Sequence, residues 1–179
     1  MLFASSLVSF APVFILGIYF VIKYLRKQDD HYYTFINIVL LVSVLTIQYF
    51  VCRYFLEGTI KVFFYREKPC ESPDIGSLVR LLNRDCYTTN HSFFSFKSCF
   101  IFSITSFLLF TIKKGFNGFK FILILWAILV CYSRIYVGSH YPLNVTLSAL
   151  IGIFLGYFVS KLYFYLKNDL LVIWIYQIL

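Results

Sequence analysis

The sequence predicts an all-α polytopic transmembrane bundle, with five spanning helices and a short interfacial segment at the C-terminal end. Three observations predict it. Of 179 residues, 60% are hydrophobic and only 13% are charged, whereas a soluble domain carries about 25% charged residues. Apolar runs recur at the length a bilayer demands, about 20 residues at ~1.5 Å of rise each. The basic residues fall between those runs and not on one face of them. Abundant apolar surface excludes disorder, and five cysteines are too few for a disulfide scaffold. The formal charge of +8 then points to anionic headgroups or phosphate, with no nucleic acid among the expected partners.

The five runs follow in order. Residues 2–22 are apolar throughout and lack a basic start or a small-residue cleavage site, so they read as a helix and not as a cleaved signal. Residues 33–52, 93–112 and 119–137 supply the next three spans. The fifth, 143–160, continues apolar through Leu166. The last run, 170–179, advances only ~15 Å as a helix and cannot span. Trp174 and Tyr176 suit it to an interface. The whole of 1–179 reads as one membrane domain. The first, third and C-terminal connections hold Lys23, Arg26, Lys27, Lys113, Lys114, Lys120, Lys161 and Lys167 against Asp29, Asp30 and Asp169. Basic excess in short loops marks the cytoplasmic side. That places the long loop 53–92 and the turn 138–142 outside.

Two of the three histidines belong to this outer side, His91 before the third span and His140 before the fifth. His31, in the basic first connection, reads as exposed and merely titrating. Lys61, Lys68 and Arg134 share the outer side, and cations with helix N-termini form a cradle for phosphate. Lys61 to Pro69 reads K-x6-K-P, Thr88-Thr89-Asn90-His91-Ser92 opens the third helix, and Ser133 to Asn144 reads S-R-x5-H-x3-N. This resembles the type 2 phosphatidic acid phosphatase family of membrane lipid phosphatases and haloperoxidase relatives, whose pattern is K-x6-R-P, P-S-G-H, S-R-x5-H-x3-D. Six of those eleven positions are identical here: Lys61, Pro69, His91, Ser133, Arg134 and His140.

The resemblance implies a metal-independent phosphatase, with no cofactor, acting on a phosphorylated lipid. His140 would be the nucleophile that carries the phosphoryl group, and His91 the general acid for the leaving alcohol. Lys61, Lys68 and Arg134 would hold the phosphate oxygens, with backbone N–H groups around Thr89 and Asn90. Phosphatidic acid, phosphatidylglycerol phosphate, undecaprenyl diphosphate and lipid A phosphates are substrates within the family. A bacterial inner membrane, with the site on its periplasmic face, fits this reading.

Departures from the pattern matter as much. Lys68 keeps the charge of the family's arginine and loses its planar fork. Asn90 replaces glycine with a residue that tolerates φ > 0. Asn144 stands where the family has an aspartate that accepts a hydrogen bond from the nucleophilic histidine. The Asn144 carbonyl can accept that bond without the charge, or the residue can present its NH2 instead. The same Asp→Asn exchange in a serine protease triad lowers kcat by roughly 10⁴. On this pattern Asn144→Asp would raise activity. The alternative is a weakened or inactive member that binds phosphorylated lipid.

Three features remain. Ser72-Pro73-Asp74 caps an apolar i, i+3, i+4, i+7 pattern through Leu82, which predicts a short amphipathic helix. Cys70 and Cys86 flank it and would form a disulfide in an oxidising compartment. Cys52, Cys99 and Cys131 read as packing residues. Lys97, six residues after His91, would lie ~9 Å deeper along the third helix and either snorkel outward or face the polar site.

Overall fold

A computed structural model of the chain describes Tyr19 and residues 31–63, 67–74, 76, 92–112 and 117–178. Every regular element among them is helical. The first expected span, 2–22, lies outside the described residues apart from Tyr19. Helix α1 (His31–Phe50) runs into a π-helical segment (Val51–Leu56) and then into α2 (Glu57–Phe63). After these come α3 (Phe96–Thr111), α4 (Asn117–Tyr136) and α5 (Pro142–Ile178). Segments Phe35–Ile60, Asn117–Tyr136 and Pro142–Asn168 are long and apolar enough to cross a membrane. The molecule is an all-α membrane bundle.

Three boundaries differ from expectation, each for a physical reason. The second span does not stop at Cys52, because Phe50 and Glu57 both keep helical dihedrals across the π segment. Residues 53–63 are therefore helical, not loop. Arg53 and Glu57 look like loop charges in sequence, yet four residues apart on a helix they form an ion pair. Arg53 also lies 5.4 Å from the centre of the Phe96 ring.

The C-terminal run is not a separate segment either. No glycine or proline follows Gly156, so nothing stops α5, and it continues through Asp169 to Ile178. The third helix opens late: Ser95 is extended (φ −90°, ψ 94°) and α3 starts at Phe96. Lys97 accordingly sits in the first helical turn and not deep in the span. The predicted helix after Ser72 is described only at its start, where the Gly76 N–H donates to the Ser72 carbonyl at 2.8 Å. Leu78 and Leu82 lie outside the described residues.

The core is the seam between α3 and α5. A side-chain carbon at Gly152 would overlap the Cys99 carbonyl oxygen, and one at Gly156 the Ser103 carbonyl oxygen. These two glycines, four apart, let the backbones meet, as small-residue spacings do in membrane helix pairs. The Ser106 hydroxyl crosses the seam to the Ile153 carbonyl at 3.0 Å. Further along it, Phe107 and Tyr163 meet edge to face, their centres 5.6 Å apart. Helix α1 packs on α3 through side chains: Tyr49 against Phe96 and Phe100, both at 5.5 Å, and Gln48 Nε2 donating to Ser103 Oγ at 3.0 Å. On α4, Leu123, Ala127, Val130 and Cys131 face inward, while Phe121, Ile122, Leu125, Ile128 and Leu129 form an outward apolar face suited to lipid.

Candidate active site

The turn from α4 to α5 is built by its backbone. The Ser139 N–H reaches the Arg134 carbonyl at 3.2 Å and the Gly138 N–H reaches the Ile135 carbonyl at 2.9 Å. This paired closure of a helix C-terminus needs a left-handed residue, and Gly138 supplies it with φ 70°. A few residues on, Pro142 occupies the first position of α5, where a missing N–H costs nothing. His140 is thereby fixed between two helix ends. The Ser133 hydroxyl serves its own helix, donating to the Val130 carbonyl at 2.6 Å.

Opposite His140 lies the stretch Ser92–Ser95 that leads into α3. His140 Nδ1 is 2.7 Å from the Ser92 carbonyl oxygen. A carbonyl can only accept, so Nδ1 carries the proton, and in the neutral ring the lone pair is on Nε2. Asn144, one turn into α5 and only 1% exposed, directs its amide to the same residue. Its Nδ2 donates to the Ser92 carbonyl at 3.3 Å and to Ser92 Oγ at 3.0 Å. Of the two ends of the Asn144 amide, the NH2 is therefore the one presented: a main-chain oxygen already occupies the place beside the histidine, and an acceptor there calls for a donor.

The next turn locks this arrangement. Ser148 Oγ donates to the Asn144 carbonyl at 2.7 Å and accepts the Ser95 N–H at 2.9 Å. Ser95 Oγ pairs with Ser98 Oγ at 2.8 Å. A chain of hydrogen bonds thus ties residues 92–95 to the first two turns of α5.

Two of the expected phosphate ligands are cations held almost wholly inside the protein: Lys68 is 3% exposed and Arg134 6%. Such burial is rare for these residues unless their charge is met, and both are engaged. Lys68 opens a tight turn, its carbonyl accepting the Glu71 and Ser72 N–H groups, each at 3.0 Å. Lys61 lies on α2, and its side chain falls outside the described residues, as do Thr89, Asn90, His91 and Cys86. Cys70 is disulfide-bonded, while Cys52, Cys99 and Cys131 are free and buried. The structure therefore brings together His140, Asn144 and the residue that follows His91. Ser92 was not among the residues the sequence singled out, because every residue has a carbonyl.

The model of the PAP2 superfamily matches residues 37–168. The chain belongs to the PAP2 superfamily. Among relatives of this PAP2 protein is a lipid A 4'-phosphatase from Porphyromonas gingivalis, 29% identical over 156 residues, or 86% of this chain. The match spans 62% of that relative's length. The crystal structure of Aquifex aeolicus LpxE is similar in fold, with a TM-score of 0.51 and 26% identity, covering 82% of this chain and 86% of that one.

Proposed function

We propose that this PAP2 protein is a lipid phosphatase that works through a phosphohistidine on His140. The observation that carries the reading is the 2.7 Å approach of His140 Nδ1 to the Ser92 carbonyl oxygen, a contact that holds a proton on Nδ1 and leaves the lone pair of the neutral ring on Nε2. In the first step Nε2 bonds to phosphorus and the bond from phosphorus to the lipid oxygen breaks, the leaving oxygen taking a proton from His91. Water then attacks phosphorus, losing a proton to His91, while the bond from phosphorus to Nε2 breaks and its electron pair returns to the ring, and inorganic phosphate leaves. Lys61, Lys68 and Arg134, with N–H groups near Thr89 and Asn90, carry the oxygen charges that grow in both transition states.

Family membership and the relatives' names favour a phosphorylated lipid, and within that class a lipid A phosphate over phosphatidic acid, phosphatidylglycerol phosphate or undecaprenyl diphosphate. The disulfide at Cys70 supports an oxidising, periplasmic side of a bacterial inner membrane for the site, with Cys86 as the partner thiol. Lys68 and Asn90 in place of arginine and glycine favour the second reading, a protein that holds phosphorylated lipid without turning it over. Phosphate release from all four lipid classes in detergent separates the two. Turnover of lipid A that His140→Ala abolishes, with an acid-labile phosphoenzyme trapped during it, is expected. Tight lipid binding with no release from any substrate would leave the binder.

A further inference from the structure

We infer that in this chain the carbonyl of Ser92, and not the residue at the family's aspartate position, orients the nucleophilic histidine, and that Asn144 acts one step removed by holding Ser92. The inference rests on the reading of His140 as nucleophile and concerns what sets its ring.

The geometry divides the roles. The ring's Nδ1–H is directed to the Ser92 oxygen at 2.7 Å. Asn144 makes its two bonds to the same residue, at 3.3 Å to the carbonyl oxygen and 3.0 Å to Oγ. Its amide donor thus goes into fixing the acceptor. Ser148 fixes Asn144 from behind through its main-chain oxygen at 2.7 Å and grips the Ser95 N–H at 2.9 Å. The acceptor therefore hangs between two clamps, one on each side of the 92–95 stretch. A hydrogen-bonded carbonyl in this setting orients the ring and sets its tautomer, as partners of ligating or nucleophilic histidines commonly do.

An aspartate in place of Asn144 would turn this arrangement against itself. A carboxylate has no proton to give. It would set an oxygen where Nδ2 now stands, 3.3 Å from the Ser92 carbonyl oxygen, which repels it, and 3.0 Å from Ser92 Oγ, whose hydroxyl alone can donate to it. The carbonyl would withdraw, and His140 would lose its partner. Asn144→Ala removes the donor without adding that repulsion. Activity should thus be highest in the wild type, lower in Asn144→Ala and lowest in Asn144→Asp. A relay of the family type would put Asn144→Asp first.

The test is phosphate release from lipid A in detergent by the wild-type chain, Asn144→Asp, Asn144→Ala and His140→Ala. Alongside it, histidine-selective ¹⁵N spectra of the same proteins report the His140 tautomer without turnover. Asn144→Asp should lower kcat roughly 10- to 100-fold, the worth of one buried hydrogen bond, and Asn144→Ala less, with KM changed by under about threefold in both. The Nδ1–H signal should persist in Asn144→Ala and shift or broaden in Asn144→Asp. Asn144→Asp matching or exceeding the wild type, while His140→Ala is dead, would overturn the assignment to Ser92 and restore the direct relay. A wild-type ring protonated on Nε2 alone would also overturn it, whatever the rates. Activity surviving in His140→Ala would instead overturn the nucleophile reading beneath it.

Discussion

Helix α3 is gripped on two sides in opposite ways. Against α5 the contact is backbone on backbone: Gly152 and Gly156 admit the carbonyls of Cys99 and Ser103, and Ser106 and Ser148 bond main-chain groups across the gap. Against α1 the contact is side chain on side chain. There Gln48 donates to Ser103 while its own Oε1 is buried without a partner among the described residues, and Cys52 of the adjoining π-helical segment stands with its sulfur 3.6 Å from that of Cys99, both free thiols. The histidine proposed to attack phosphorus belongs to the first contact. Lys61, proposed to hold the phosphate, rides on the arm that uses the second, beyond a π-helical segment of the kind often found near functional sites. His140, which must be aimed, is set by main-chain contacts, whereas Lys61, which must only supply charge, rides on an arm held by side chains.

Substitutions in each contact sharpen this contrast. The largest effect belongs to Gly152→Val, whose branches would push into the Cys99 carbonyl. It should cost about 3 kcal/mol and abolish turnover, as read from the thermal midpoint and activity in the same detergent. Ser148→Ala comes next. It leaves the buried Ser95 N–H unpaired and should cost about 1–3 kcal/mol. Its kcat should fall before its thermal midpoint does, since residues 92–95 carry the acceptor for His140. The smallest change is expected from the double substitution Gln48→Leu with Ser103→Ala, which removes both partners of a poorly satisfied pair. Stability should stay within about 0.6 kcal/mol of the parent, with activity unchanged. A large loss there would mean that the α1 contact is as exacting as the α5 contact.

The chain displays some of this organisation openly. Gly138 and Pro142 mark the turn before α5 in the sequence, because one needs a left-handed backbone and the other a vacant N–H. The spans at 119–137 and 143–160 match α4 and the core of α5 for the same reason that hydropathy works in lipid: backbone polar groups force long helices. Hydropathy passes over the pairing of Gly152 with Gly156, whose meaning is the close approach of two backbones and not the polarity of either residue. Charge misled where geometry decides its meaning. Arg53 and Glu57 mimic a loop until a helix brings them together. Asn144 leaves open in sequence which end of its amide is used, and the neighbouring carbonyl selects the NH2 group.

Ser92 carries one more consequence, for genetics. Alanine, glycine or leucine at position 92 would all retain the oxygen that faces His140, because that oxygen is not encoded by the side chain. Small replacements would register only the hydroxyl that meets Asn144, and a larger one would register the packing of a residue that is 0% exposed, so neither reports the carbonyl. A backbone ester in place of the amide between Ser92 and Phe93 weakens that oxygen as an acceptor and reaches what codon changes leave untouched.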